Sequence, residues 1–143
     1  MVRQELPMSC GAACARQVLL DAGINSPEAQ IRELAGFHPE RGIALDALAN
    51  VLNALHPGAK YRSGGVGPEE LSALAHVVPF IALLRTPTKH FVIVEEVTET
   101  EIMIRDPAGM PEGPGVGQEC VMEREEFISR WTRAINGVLF RSA

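Results

Sequence analysis

The stretch MSCGAACARQVLLDAG, Met8 to Gly23, puts a cysteine where an apolar helix begins. Ser9 is a residue type that caps helices and Gly23 a type that stops them. Between them, Ala13, Val18, Leu19 and the neighbouring alanines supply an apolar side. These signals predict a helix over about Cys10–Ala22, with Cys10 in its first turn and Cys14 a full turn inside. A helix N-terminus offers unpaired N–H groups and the positive end of the helix dipole, which favour a thiolate, the nucleophilic form of cysteine. Cys14 lacks that position and reads as a small buried hydrophobe. Gly11 and Ala12 carry almost no side chain, which predicts room for a substrate backbone beside Cys10.

Working outward, Ser26-Pro27-Glu28 reads as a capping residue followed by a proline suited to the first helical position, opening a short helix that ends at Gly36. Leu45, Leu48, Leu52 and Leu55, spaced by three and four, predict a third helix over about Ala44–Leu55, ended by His56-Pro57-Gly58. Tyr61–Gly67 reads as a glycine-rich loop, and Pro68-Glu69-Glu70 as the start of a fourth helix running to about Val77. The pattern then changes. Phe80–Arg85, Phe91–Val97 and Glu101–Arg105 are short runs rich in Val, Ile and Phe, bounded by turn residues, and predict strands. The second and third are almost continuously apolar, which predicts cover on both sheet faces. Asp106–Gln118 holds three prolines and four glycines and predicts a loop. Cys120–Met122 reads as a short strand, Arg124–Trp131 as a helix and Ile135–Arg141 as a last strand. Helices first and an antiparallel sheet after them make an α+β fold, with residues 1–143 as one domain.

The chain of 143 residues is 46% hydrophobic and 22% charged, with a formal net charge of −5, as in globular proteins. No apolar run approaches the roughly 20 residues needed to cross a bilayer, so no membrane association is predicted. The segment MVRQELP has no apolar core, so no signal peptide is predicted and the chain as it stands reads as cytoplasmic. Three cysteines are too few, and odd in number, for a disulfide framework, which suits a reducing compartment. The acidic balance gives no support to nucleic-acid binding. No pair of residues has CxxC or HxxxH spacing, so neither a metal nor another cofactor is predicted.

Of the four histidines, His38 precedes a proline in a loop, His56 ends a helix and His76 lies in an alanine-rich helix. His90 differs because it opens a strand. A hairpin centred near Thr98 would set His90 opposite Asp106, where cross-strand side chains on one face lie about 5 Å apart. A one-residue slip would part them. Cys10, His90 and Asp106 then form a nucleophile, a base and its orienter. Gln4, six residues before Cys10, could join the Cys10 backbone N–H in an oxyanion hole. Cys120 reads as a buried strand residue.

Gln4, Cys10-Gly11-Ala12-Ala13-Cys14, His90-Phe91-Val92-Ile93-Val94, Asp106-Pro107-Ala108-Gly109, Glu126-Phe127 and Trp131-Thr132 together resemble the papain-like cysteine peptidases of the C39 type, which cleave double-glycine leaders from bacteriocin precursors. Ser9 stands where that family commonly has Asp. The resemblance implies a papain-like fold, Cys10 as nucleophile, His90 as base, Asp106 as orienter and Gln4 in the oxyanion hole. The run CARQVLLDAGI, the Arg62–Val66 loop and Ile102–Pro107 are also similar to papain-like toxin domains at the C-termini of bacterial polymorphic toxins. That likeness implies an effector acting on a protein target by proteolysis or deamidation, carried as the last module of a secreted protein and accompanied by an immunity protein. The alternatives are a leader peptidase, a toxin nuclease cleaving tRNA on the same fold, and a binding module that has lost catalysis. The presence of both Cys10 and His90 speaks against the last.

Overall fold

The structure is a computed structural model that describes residues 1–85, 88–108 and 117–142. Three helices, α1 (Cys10–Asp21), α2 (Glu28–Ala35) and α3 (Leu45–Leu55), precede a six-stranded sheet. Its strands are β1 (Lys60–Gly65), β2 (Phe80–Arg85), β3 (Lys89–Val97), β4 (Glu101–Asp106), β5 (Gln118–Glu123) and β6 (Gly137–Ser142). They lie in the order β1-β6-β2-β3-β4-β5, each pair antiparallel. Two further helices, α4 (Leu71–Leu74) and α5 (Arg124–Thr132), belong to the opposite side of the sheet.

Alternation along β2 and β3 divides the core between the two faces. Ile81, Phe91, Ile93 and Leu139 pack with Ala12, Leu19, Ile31, Leu48 and Leu52 of the first three helices. Phe80, Ala82, Val92 and Val94 pack the other way, with Leu71, Phe127 and Trp131. Cover on both faces therefore holds for β3. It fails for β4, whose Ile102 and Ile104 are buried while Met103, on the other face, is 40% exposed beside Val121 at 53%. The third residue of that outer face, Arg105, is buried by charge. Its Nη2 donates to Asp21 Oδ2 at 2.7 Å, and its Nε lies 2.7 Å from Glu95 Oε1, too bent for a hydrogen bond. This pairing ties the C-terminal end of α1 to the sheet.

Several boundaries differ from expectation. Residues Lys60–Gly65, read as a loop, form an edge strand paired with β6. Asn53 of α3 helps to fix it, donating from Nδ2 to the Tyr61 carbonyl and accepting the Tyr61 N–H at Oδ1, at 3.0 and 2.8 Å. At Gly65 a β-carbon would stand 2.8 Å from the Ile135 carbonyl, so glycine here permits a close backbone approach. The expected fourth helix is a single α-turn between two 3₁₀ turns, Pro68–Glu70 and Ala75–Val77. The last strand starts at Gly137, because Ile135 and Asn136 take left-handed φ values of 59° and 49°. Ser26 does not cap α2: Pro27 occupies that position and the Ser26 hydroxyl meets Gln30 Oε1. Most of the expected Asp106–Gln118 loop, residues 109–116, lies outside the described residues.

Candidate active site

Cys10 is the first residue of α1 and is 6% exposed. Its Sγ accepts the backbone N–H of Phe91 at 3.4 Å, which joins the start of α1 to the start of β3. Gly11 serves that junction and leaves no space for a substrate, contrary to expectation. A β-carbon on it would stand 2.9 Å from both Leu48 Cδ1 and Phe91 Cδ2. Bare backbone at this position lets α1 approach α3 and β3 closely enough for Sγ to meet the Phe91 N–H.

His90 lies one residue before Phe91. Its Nε2 is 2.7 Å from Asp106 Oδ1, and the Cys10 thiol is near enough to act on the ring's proton affinity. The strand register that brings this about is not the expected one. Ile93 pairs with Arg105 and Val94 with Ile104, and a bulge at Glu95 shifts the next pair to Glu96 and Met103. The difference beside the bulge is two residues, so the side chains keep their faces, and the imidazole crosses the diagonal to reach the carboxylate. Asp106 Oδ1 also accepts the Ala108 N–H at 2.8 Å, so the carboxylate closes its own Asp-Pro turn as well. Burial alone would lower the His90 pKa. The hydrogen bond to Asp106 and the nearby Cys10 thiol outweigh it and raise the value to about 9. At Asp106 the same balance runs the other way: burial would raise the carboxyl, and the bond to His90 lowers it.

Gln4 reaches the same region through its backbone, whose N–H donates to the Pro107 carbonyl at 2.8 Å. Its side-chain Nε2 lies 2.9 Å from the Leu6 carbonyl and 3.0 Å from that of Pro7, while Oε1 is buried without a partner. An oxyanion contact from Gln4 therefore requires one N–H to exchange a backbone carbonyl for the substrate oxygen. Ser9 takes the expected N-cap position of α1, but its side chain makes no capping hydrogen bond. Its hydroxyl faces Leu6 and Glu28 instead.

Lys89, unremarked in the sequence, bridges the layers above Cys10: its Nζ donates to the Ile43 carbonyl at 2.8 Å and lies 5.2 Å from the centre of the Phe91 ring. No spacing rule marks it, because its partner is a backbone carbonyl far along the chain. His38 and His56 have local partners, the Glu40 N–H and the Tyr61 hydroxyl. All three cysteines are free. Burial pushes the Cys14 thiol well up and raises that of Cys120.

A family model described as the peptidase C39 family matches residues 1–139. The chain belongs to the peptidase C39 family. This C39 cysteine peptidase is 32% identical over 108 residues to an uncharacterised protein of Methanothermobacter marburgensis, covering 76% of this chain and 71% of that one. It is similar to the peptidase domain of Streptococcus ComA, a bifunctional ABC transporter of a quorum-sensing pathway, with a TM-score of 0.77, 25% identity and coverage of 99% and 96%. It is also similar to a double-glycine-motif protease from an AMS/PCAT transporter solved with its leader peptide, with a TM-score of 0.76, 22% identity and coverage of 100% and 93%. These matches bear out the papain-like C39 fold and lend nothing to the toxin resemblance. Among the described residues no helix is long and apolar enough to cross a membrane.

Proposed function

We propose that this C39 peptidase cleaves peptides after a double glycine, with Cys10 as nucleophile, His90 as acid and base, Asp106 as orienter and Gln4 as an oxyanion donor. The observation that carries the assignment is the Asp106-paired imidazole of His90 next in the chain to Phe91, whose N–H bonds to Cys10 Sγ. The Cys10 thiolate attacks the carbonyl carbon of the second glycine. The resulting oxyanion is held by the Cys10 N–H at the head of α1 and by the Gln4 amide. His90, as imidazolium, gives its proton to the departing amine, leaving a thioester on Cys10. Water, deprotonated by the now neutral His90, attacks the thioester and releases the acid and the thiol. The choice of glycine is supported by the similarity to a protease solved with such a leader.

The test is hydrolysis of a fluorogenic peptide carrying Gly-Gly before the reporter. Wild type is expected to release the reporter, and Cys10→Ala and His90→Ala to abolish release. Replacing the second glycine by alanine should cost at least about 10-fold in kcat/KM, since one added methyl group is discriminated by roughly 1–3 kcal/mol. Full activity in Cys10→Ala would overturn the mechanism, and equal rates on Gly-Gly and Gly-Ala would overturn the specificity.

A further inference from the structure

The residues leading into Cys10 are folded round Leu6. The Ser9 N–H donates to the Leu6 carbonyl at 3.2 Å, the Gln4 amide reaches the same oxygen at 2.9 Å, and the Leu6 N–H donates to Ser9 Oγ at 2.9 Å. The Leu6 carbonyl thus already accepts two N–H donors, one for each lone pair. The Ser9 hydroxyl has two acceptors within reach, this crowded carbonyl at 3.0 Å and Glu28 Oε1 at 3.3 Å.

Glu28 is the unusual member. It is a carboxylate with no exposed surface, in the first turn of α2, and Ser9 beside it is equally buried. Its Oε1 also accepts the Glu5 N–H at 3.1 Å, and its Oε2 is paired with Arg32 one turn along α2. Arg32 reaches on to Glu5 Oε1 at 3.1 Å, and Glu5 Oε2 lies 3.8 Å from Arg16 of α1. One buried carboxylate therefore holds two successive points of the approach to Cys10, at Glu5 and at Ser9, and ties both to α2. Burial raises the Glu28 carboxyl despite these donors. An acid facing solvent would serve the N-terminus of α2 equally well. The buried placement is explained by what lies across from it, the segment that carries Gln4 at one end and Cys10 at the other.

Building on the Cys10–Gln4 peptidase reading above, we propose that Glu28 is a positioning residue for the reaction, setting the Gln4 amide and the Cys10 N–H in register through Ser9 and Glu5. It touches no substrate. Its effect falls on kcat, because the oxyanion forms only after attack, and a misplacement of the donors of about 1 Å costs up to about 10²-fold.

The experiment is a double-mutant cycle on the same fluorogenic Gly-Gly peptide, using Glu28→Gln, Gln4→Ala and the pair. Glu28→Gln should lower kcat by about 10-fold or more with KM within two-fold. It should leave the rate of Cys10 alkylation by iodoacetamide unchanged, since the thiol and His90 are untouched. The double variant should lose clearly less than the product of the two single losses, because the part of the Glu28 effect that runs through Gln4 is already removed. If Glu28→Gln does not fold, Ser9→Ala, which deletes one hydroxyl from the same path, takes its place in the cycle. Multiplicative losses in the double variant, or parallel falls in alkylation and kcat, would reduce Glu28 to a structural role and overturn the inference. So would unchanged kcat in Glu28→Gln. Activity surviving in Cys10→Ala, or a silent Gln4→Ala, would instead remove the reading on which it stands.

Discussion

His90 is subject to opposing influences, and their balance sets a measurable limit on activity. Burial favours the neutral ring, yet the bond to Asp106 and the nearby Cys10 thiol hold the proton to about pH 9, against an ordinary value of 6.5. The leaving amine needs that proton, so hydrolysis is expected to fall as pH rises through about 9. Asp106→Asn removes the strongest of the interactions that hold the proton and should move this limb towards lower pH while leaving residual activity. A limb unmoved in Asp106→Asn would show that another group sets it. The same shift links to stability. Because the folded value is raised, the stabilisation is complete below about pH 6.5 and is lost as pH climbs through about 9. The melting temperature of wild type should therefore converge on that of His90→Gln over this window. Parallel curves would contradict the linkage. Thiol chemistry belongs to this scale too. Burial pushes Cys14 and Cys120 upwards, so limited iodoacetamide near neutral pH should label Cys10 first, as peptide mapping would show. Prior labelling of either of the others would refute Cys10 as the nucleophile.

Among the elements, the junction of α1, α3 and β3 is the most demanding. Gly11→Ala gains up to about 1 kcal/mol of helix propensity, but the new methyl group meets Leu48 and Phe91 at 2.9 Å. Overpacking of that kind costs about 1–3 kcal/mol, and Phe91 has little freedom to move, being buried and held in the centre of the sheet. A lower denaturant midpoint is expected, together with reduced activity, since the Phe91 N–H bonds to Cys10 Sγ. An unchanged midpoint would show that the junction has slack. Elements marked by periodicity or by clear stop signals were legible in the sequence: α1, α3, β2, β3 and the ends at Gly23 and Gly36. Those decided by partners far along the chain were not. The strand Lys60–Gly65 has glycines that argue against a sheet, and it exists because β6 and Asn53 satisfy its backbone. The pairing of His90 with Asp106 was legible in its parity though not in its register, since nothing local announces the bulge at Glu95. Glu28 reads as an ordinary first-turn acid. Only the packing of α2 against the Gln4–Ser9 segment gives it a further part.

At the scale of the whole molecule, the two halves of the core share β2 and β3, whose alternate side chains point into each. That sharing predicts one cooperative unfolding transition. The sole tryptophan, Trp131, is fully buried on the α5 side, with its Nε1 donating to the Gly137 carbonyl at 3.1 Å. Cys10 lies on the other side, with the first three helices. Trp131 fluorescence and the alkylation of buried Cys14, also in the half of the core packed by the first three helices, should therefore change at the same denaturant concentration. Two separated midpoints would mean that the faces melt independently. The near-complete enclosure of Cys10, 6% exposed beneath the Phe91 backbone, also sets terms for anyone designing a covalent inhibitor. The warhead has to be thin. A glycine nitrile or a small aldehyde suits a cysteine that is only 6% exposed, whereas a bulky aromatic disulfide reagent finds little of it to approach.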